Sequence, residues 1–127
     1  MNQDTNALNW FEIPVTDIGR AKDFYQAIFD IHMEDMTMPG MEMAGFPYTP
    51  GSGKASGALA KSDFHKPGAD GVIIYLNANP DMSPVLDRIE GKGGKILTGK
   101  TSISPGIGYM AFFMDSEGNR IGLHSQG

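Results

Sequence analysis

The chain has no cysteine among its 127 residues. Disulfides, thiolate nucleophiles and cysteine-based zinc sites are therefore excluded. The absence leaves the compartment open, except that nothing here needs an oxidising one. Cations are also sparse: ten Lys and Arg stand against fifteen Asp and Glu, for a formal net charge of −5. Lysines such as Lys54, Lys61, Lys66, Lys92, Lys95 and Lys100 are scattered. No basic patch is on offer to a phosphate backbone, so nucleic acid is not an expected partner. No apolar run approaches the ~20 residues of a membrane helix. The opening MNQDTNALNW is polar, carries an acid and does not read as a secretory leader. The expectation is a cytoplasmic protein with no membrane partner. Hydrolase and nucleotide motifs are missing too. No Ser sits in a G-x-S-x-G setting. Gly51-Ser52-Gly53-Lys54 has neither the spacing nor the strand-to-helix context of a phosphate loop.

Two segments obey one helical template. After Thr16 and Asp17, which can cap a helix start, apolar residues fall at Ala21, Phe24, Tyr25 and Ile28. A second helix is expected to open at Asn79-Pro80, with apolar positions at Met82, Val85, Leu86 and Ile89. Each lies 61 residues beyond its counterpart. Gly91, Gly93 and Gly94 end the second helix. A strand-like run precedes each helix: Asn9 to Val15, then Gly71 to Asn77. Pro14 lacks an amide donor, which puts it at a strand end or a sheet edge. Strand-like pieces follow each helix. In the first half they run roughly over 31–36, 41–48 and 56–61; in the second, over 95–103, 108–115 and 120–125. Asp115-Ser116-Glu117-Gly118-Asn119 reads as the turn of a closing hairpin. The order β-α-β-β-β thus occurs twice in an α+β domain spanning 1–127, with module one at about 8–64 and module two at about 70–126.

Trp10-Phe11-Glu12-Ile13-Pro14-Val15-Thr16-Asp17, with Arg20-Ala21 and Phe24-Tyr25, resembles the opening strand and helix of the vicinal-oxygen-chelate superfamily of glyoxalase, bleomycin-resistance and extradiol-dioxygenase domains. Ala111 to Ile121 resembles its closing hairpin, and Leu86 to Ile96 fits the helix between. The resemblance implies two tandem βαβββ modules forming a curved, partly open eight-stranded sheet around a cavity. It also implies a homodimer and a small-molecule ligand. Fold does not fix function, because this cup hosts isomerases, oxygenases and plain binders.

Metal-using members take ligands from the first and last strand of each module. Carried over, those positions fall on Trp10, on Gly57 or Ala58, on Val72 (Gly71 with a slip of one) and on Gly122. None can ligate a metal through its side chain. No metal site and no other cofactor is therefore expected. The strand period of two places Glu12 and Pro14 with Trp10, Ile74 and Leu76 with Val72, and Arg120 and His124 with Gly122 on the cavity face.

Glu12 is a carboxylate between Phe11 and Ile13 in a core strand, costly to bury unpaired. It is the candidate catalytic base, with its pKa expected to be raised by an apolar cup; the alternative role is a structural pairing. His124 is a weaker catalytic candidate. Trp10, Tyr48, Ile74, Tyr75 and Gly122, with Glu12 and His124, are the candidate ligand-binding set. His32 and His65 are expected on surface loops. Met33, Met36, Met38, Met41 and Met43 crowd into eleven residues, as adaptable apolar surfaces do, with ordinary packing as the alternative.

Three functions are open at this point. The leading one is a domain that binds a small organic ligand in the cup without a metal. The second is an isomerase or lyase using Glu12 as general base. The third is a metal-dependent glyoxalase-type enzyme with displaced ligands.

Overall fold

The computed structural model describes residues 1–127. Its elements are β1 (Trp10–Pro14), α1 (Ile18–Phe29), β2 (Glu34–Met38), β3 (Met41–Gly45), β4 (Ser56–Lys61), β5 (Tyr75–Asn77), α2 (Ser83–Ile89), β6 (Lys95–Ser104), β7 (Gly108–Met114) and β8 (Arg120–Ser125). Each module is one four-stranded sheet, ordered β1-β4-β3-β2 in the first and β5-β8-β7-β6 in the second. β1 pairs parallel with β4, and β5 parallel with β8. The eight strands thus form two open sheets with no ladder between them. No helix is long and apolar enough to cross a membrane.

One core serves both modules. It joins Ile13, Phe24, Tyr25, Ile28 and Leu59 of the first to Leu76, Met82, Ile89, Phe113 and Leu123 of the second. Each fully buried side chain of this size contributes roughly 1.5–3 kcal/mol. The helical spacing explains the burial: Ala21, Phe24, Tyr25 and Ile28 are the buried face of α1. Asp17 caps that helix, its Oδ1 accepting the Arg20 amide at 3.0 Å. Pro14 ends β1, an edge strand, so its missing amide disrupts no ladder.

Three expectations are corrected. First, α2 begins at Ser83, not at Asn79-Pro80. Asp81 Oδ1 accepts both the amide and the hydroxyl of Ser83 (2.9 and 2.8 Å), making a turn that delays the helix. Asn79 Oδ1 instead accepts the Gln126 amide at 2.7 Å. Second, the strand before α2 shortens to Tyr75–Asn77, and Val72 stands 92% exposed. Third, its facing is shifted by one residue. Tyr75 lies opposite Gly122 and Asn77 opposite His124. Ile74 and Leu76 turn toward the core. The cause is local: Gly122 leaves a space that the Tyr75 ring fills. A Cβ at Gly122 would stand 2.7 Å from that ring. The ring also packs on Phe112, centroids 5.6 Å apart.

The closing hairpin turn ties the modules together. Asp115 Oδ1 accepts the amides of Glu117 and Asn119, at 2.9 Å each. Its Oδ2 accepts the Tyr25 hydroxyl of α1 at 2.7 Å. Burial, then the charge and hydrogen bond of Asp115, push the Tyr25 phenol well above its usual range. Asn119 Nδ2 donates to the Pro14 carbonyl at 2.7 Å. Glu117 is the third anchor. Its Oε1 accepts the amides of Thr16 and Asp17 at the start of α1, at 3.0 Å each. Its Oε2 accepts Arg20 Nε at 2.7 Å. The Glu117 side chain is fully covered. That burial alone would raise its pKa, but Arg20 and the Thr16 and Asp17 donors outweigh it and hold the group at about 2.

A carboxyl lowered on folding stabilises fully above its unfolded value and loses that contribution as pH falls through the folded one. For Glu117 the window runs from 4.5, its ordinary value, down to about 2. Glu117→Gln should cost about 2–3 kcal/mol at neutral pH. In urea melts at a series of pH values, the gap to the unaltered protein should close between those limits; a gap that stays constant would contradict this reading. Tyr25→Phe should cost about 1–2 kcal/mol, because it strips a donor from a buried carboxylate. The same melts at neutral pH measure it.

Candidate functional site

The two sheets approach each other at two seams. At one, Phe11, Phe29, Phe46 and Leu76 line an apolar cleft of about 330 Å³ without a titratable group. At the other, the end of β1 faces the start of β8 beneath the connection between the modules. There a cleft of about 270 Å³ has Ile13, Val72, Ile74 and Ile121 as its apolar lining, with the acids Glu12 and Asp70 and the bases Lys66 and Arg120 as its charged groups.

Glu12 points to the side of β1 away from the core, as the alternation through Phe11 and Ile13 requires. It is not in an apolar cup. Its Oε2 accepts Trp10 Nε1 at 3.3 Å and its Oε1 meets His65 Nε2 at 2.8 Å. The side chains of Glu12 and His65 are 33% and 18% exposed. His65 is thus no free surface residue, contrary to expectation. Ser62 lies three residues before it, and Ser62 Oγ meets His65 Nδ1 at 2.6 Å. Ser62 Oγ also accepts the Phe64 amide at 3.0 Å. Ser62 and Glu12 thus engage the two ring nitrogens of His65 from opposite sides. The chain Ser62–His65–Glu12 therefore fixes the connecting segment against β1, in line with the structural pairing of Glu12.

Arg120, the first residue of β8, is the unsatisfied group of this cleft. It enters no ion pair. Its Nε is buried without an acceptor. A buried donor in that state costs about 1–3 kcal/mol. Lys66 lines the same cleft and is also outside the ion pairs.

The candidate ligand-binding residues divide. Glu12 and Ile74 border the seam cleft. Trp10 and Tyr48 stand beside Glu12 as an exposed edge-to-face pair, centroids 6.4 Å apart. Tyr75, Gly122 and His124 lie further along the outer face of the second sheet, whose β8 begins with Arg120. His124 Nε2 is bonded to the Ile107 carbonyl at 2.7 Å and is not brought to Glu12. Sequence reasoning missed His65, Lys66 and the role of Arg120. Only the local Ser62-x-x-His65 spacing hinted at the first, because a connection between modules carries no periodic signal.

The family's metal does not fit these residues. Trp10, Gly57, Ala58, Val72 and Gly122 offer no donor. The space over Gly57 is taken by Phe11 and that over Gly122 by Tyr75. No three His, Asp or Glu side chains converge anywhere. Glu12 and His65 supply two donors already spent on each other.

Comparison with known proteins gives a consistent frame. Residues 7–123 match the model of the Glyoxalase/Bleomycin resistance protein/Dioxygenase superfamily. A glyoxylase-like domain-containing protein of Didymella fabae is 29% identical over 116 residues, covering 88% of each chain. The putative glyoxylase CFP32 of Mycobacterium bovis is 31% identical over 121 residues; that match covers 91% of this chain but 44% of the relative. Among solved structures, TnmS3, an antibiotic binding protein from Streptomyces, superposes with a TM-score of 0.63 at 20% identity, over 99% of this chain and 100% of that one. Glyoxalase I from Zea mays gives 0.66 at 20% identity, over 94% of this chain and 44% of the enzyme. With its two βαβββ modules and a family match over most of its length, the chain belongs to the glyoxalase/bleomycin resistance protein/dioxygenase superfamily.

Proposed function

We propose that this domain binds a small organic acid in the seam cleft and holds it without a metal. The observation that carries the reading is Arg120: a guanidinium with no carboxylate partner and a buried, unpaired Nε, at the wall of a cleft of ligand size. The Nε is covered, so the side chain turns to offer it; a ligand oxygen then supplies the missing acceptor, and a charge-assisted bond of this kind is about twice as strong as a neutral one. Lys66 adds a second positive charge, which shares the lining with Asp70, while Glu12 is taken by His65. Ile13, Ile74 and Ile121 contact the apolar body. This mix of apolar walls and a few convergent polar groups is the usual make-up of a small-molecule site. Glu12 is engaged by Trp10 and His65, so its part is to hold the rim rather than to remove a proton. A structural relative that is an antibiotic binding protein fits a binding role. The exposed Trp10, Tyr75, Ile103 and Ile107 give a homodimer apolar surface to bury.

A thermal-shift screen of small carboxylates and phenolates, followed by calorimetry on the best binder, tests this. Arg120→Gln should weaken that binder roughly 10- to 100-fold, from the worth of a charged hydrogen bond. His124→Ala, toward the far end of β8, should leave it unchanged. Equal affinity for the Arg120→Gln variant would overturn the assignment.

A further inference from the structure

The hairpin formed by β2 and β3 reads Met36-Thr37-Met38-Pro39-Gly40-Met41-Glu42-Met43, near-symmetric about its turn. Gly40 has φ +73°, which lets Pro39-Gly40 close the strands with a two-residue loop. The register then sets Met36 opposite Met43 and Met38 opposite Met41. Directly opposed residues share a face, and so do residues two apart along a strand. All four thioethers therefore leave the same side of the hairpin. That side is the one away from the core, since Ala44 of β3 is the residue buried in the core.

Spacing and surroundings both suit a shared ligand. Opposed Cβ atoms in such a ladder stand about 4.5–5.5 Å apart, and three rotatable bonds let each sulfur reach the middle. Met43 is 5% exposed and packs on Ala58 and Ala60, with Met36 and Met41 against the same patch. Met38, 52% exposed, leaves one approach open. The small Ala58 and Ala60 make the floor dry without filling it.

We propose that this hairpin is a thioether site for a soft monovalent cation, Cu(I) or its surrogate Ag(I). Thioethers select soft metals, while the hard divalent ions that prefer oxygen find little here. A monocation held by neutral sulfurs needs no counter-charge, which matches an apolar floor. The protein has no thiolate to compete for the ion, because it has no cysteine. The site shares the outer face of the first sheet with Glu12 and Pro14, which lie opposite Ala58 and Ala60, but none of its methionines lines the Arg120 cleft, so it stands or falls independently of it.

The test uses the whole protein under anaerobic conditions. Cu(I) is partitioned between the protein and a chromophoric Cu(I) chelator, and methyl-labelled methionine spectra are recorded with added Ag(I). One equivalent of ion should be retained. The methyl resonances of Met36, Met38, Met41 and Met43 should shift, while Met33 and Met82, buried in the core, stay in place. Met38→Leu with Met41→Leu preserves volume and exposes no new polar group. It should keep the melting temperature and weaken retention at least about tenfold. A chelator that strips all the copper, retention unchanged in the double variant, or shifts centred on Met110 and Met114 would each overturn the site.

Discussion

The structure depends on one turn. Asp115-Ser116-Glu117-Gly118-Asn119 closes the last hairpin, yet three of its side chains reach into the other module. Asp115 takes the Tyr25 hydroxyl, Glu117 takes the exposed amides that start α1, and Asn119 takes the Pro14 carbonyl at the end of β1. No ladder joins the two sheets, so these bonds, the Arg88 bond to the Ile28 carbonyl and the common core are what set one module against the other. Helix starts have free amides that need acceptors, and here the acceptor comes from a residue about a hundred positions away.

The cleft follows from that clamp. Asn119 also accepts the Gly68 amide through its Oδ1, which draws the connection between modules over the seam. Ser62 and His65 pin the same connection to Glu12 from the other end. Between these two attachments lie Lys66 and the wall formed by Arg120. Turn, connection and cleft are one construction. The family's usual metal positions are filled by packing instead: Phe11 over Gly57 and Tyr75 over Gly122.

Much of this was legible in the residues. The period of 3.6 located both buried helix faces, and the repeat at 61 residues revealed the duplicated module. The strands over Ser56–Lys61 and Arg120–Ser125 stand where the strand-like runs put them. Failures came where one side chain overrode a local rule. Asp81, not Asn79, caught the helix-start groups. A glycine at 122 drew Tyr75 over it and turned Ile74 and Leu76 inward. The candidate site was legible only in part. Glu12 stood out as an acid in an apolar strand, but its partner His65 is 53 residues away, on a segment with no pattern to read. Glu117 looked like an ordinary turn residue; nothing local shows that it caps a distant helix.

On the proposed function, an acid seated in the seam cleft completes the hydrogen bonding of Arg120. The most direct measurement follows arginine Nε–H resonances while a bound carboxylate ligand is titrated to saturation. The Arg120 Nε–H should move downfield and exchange more slowly with water, while Arg20, already bonded to Glu117, is unaffected. Saturation that leaves Arg120 unmoved and shifts Tyr75 and His124 instead would contradict it.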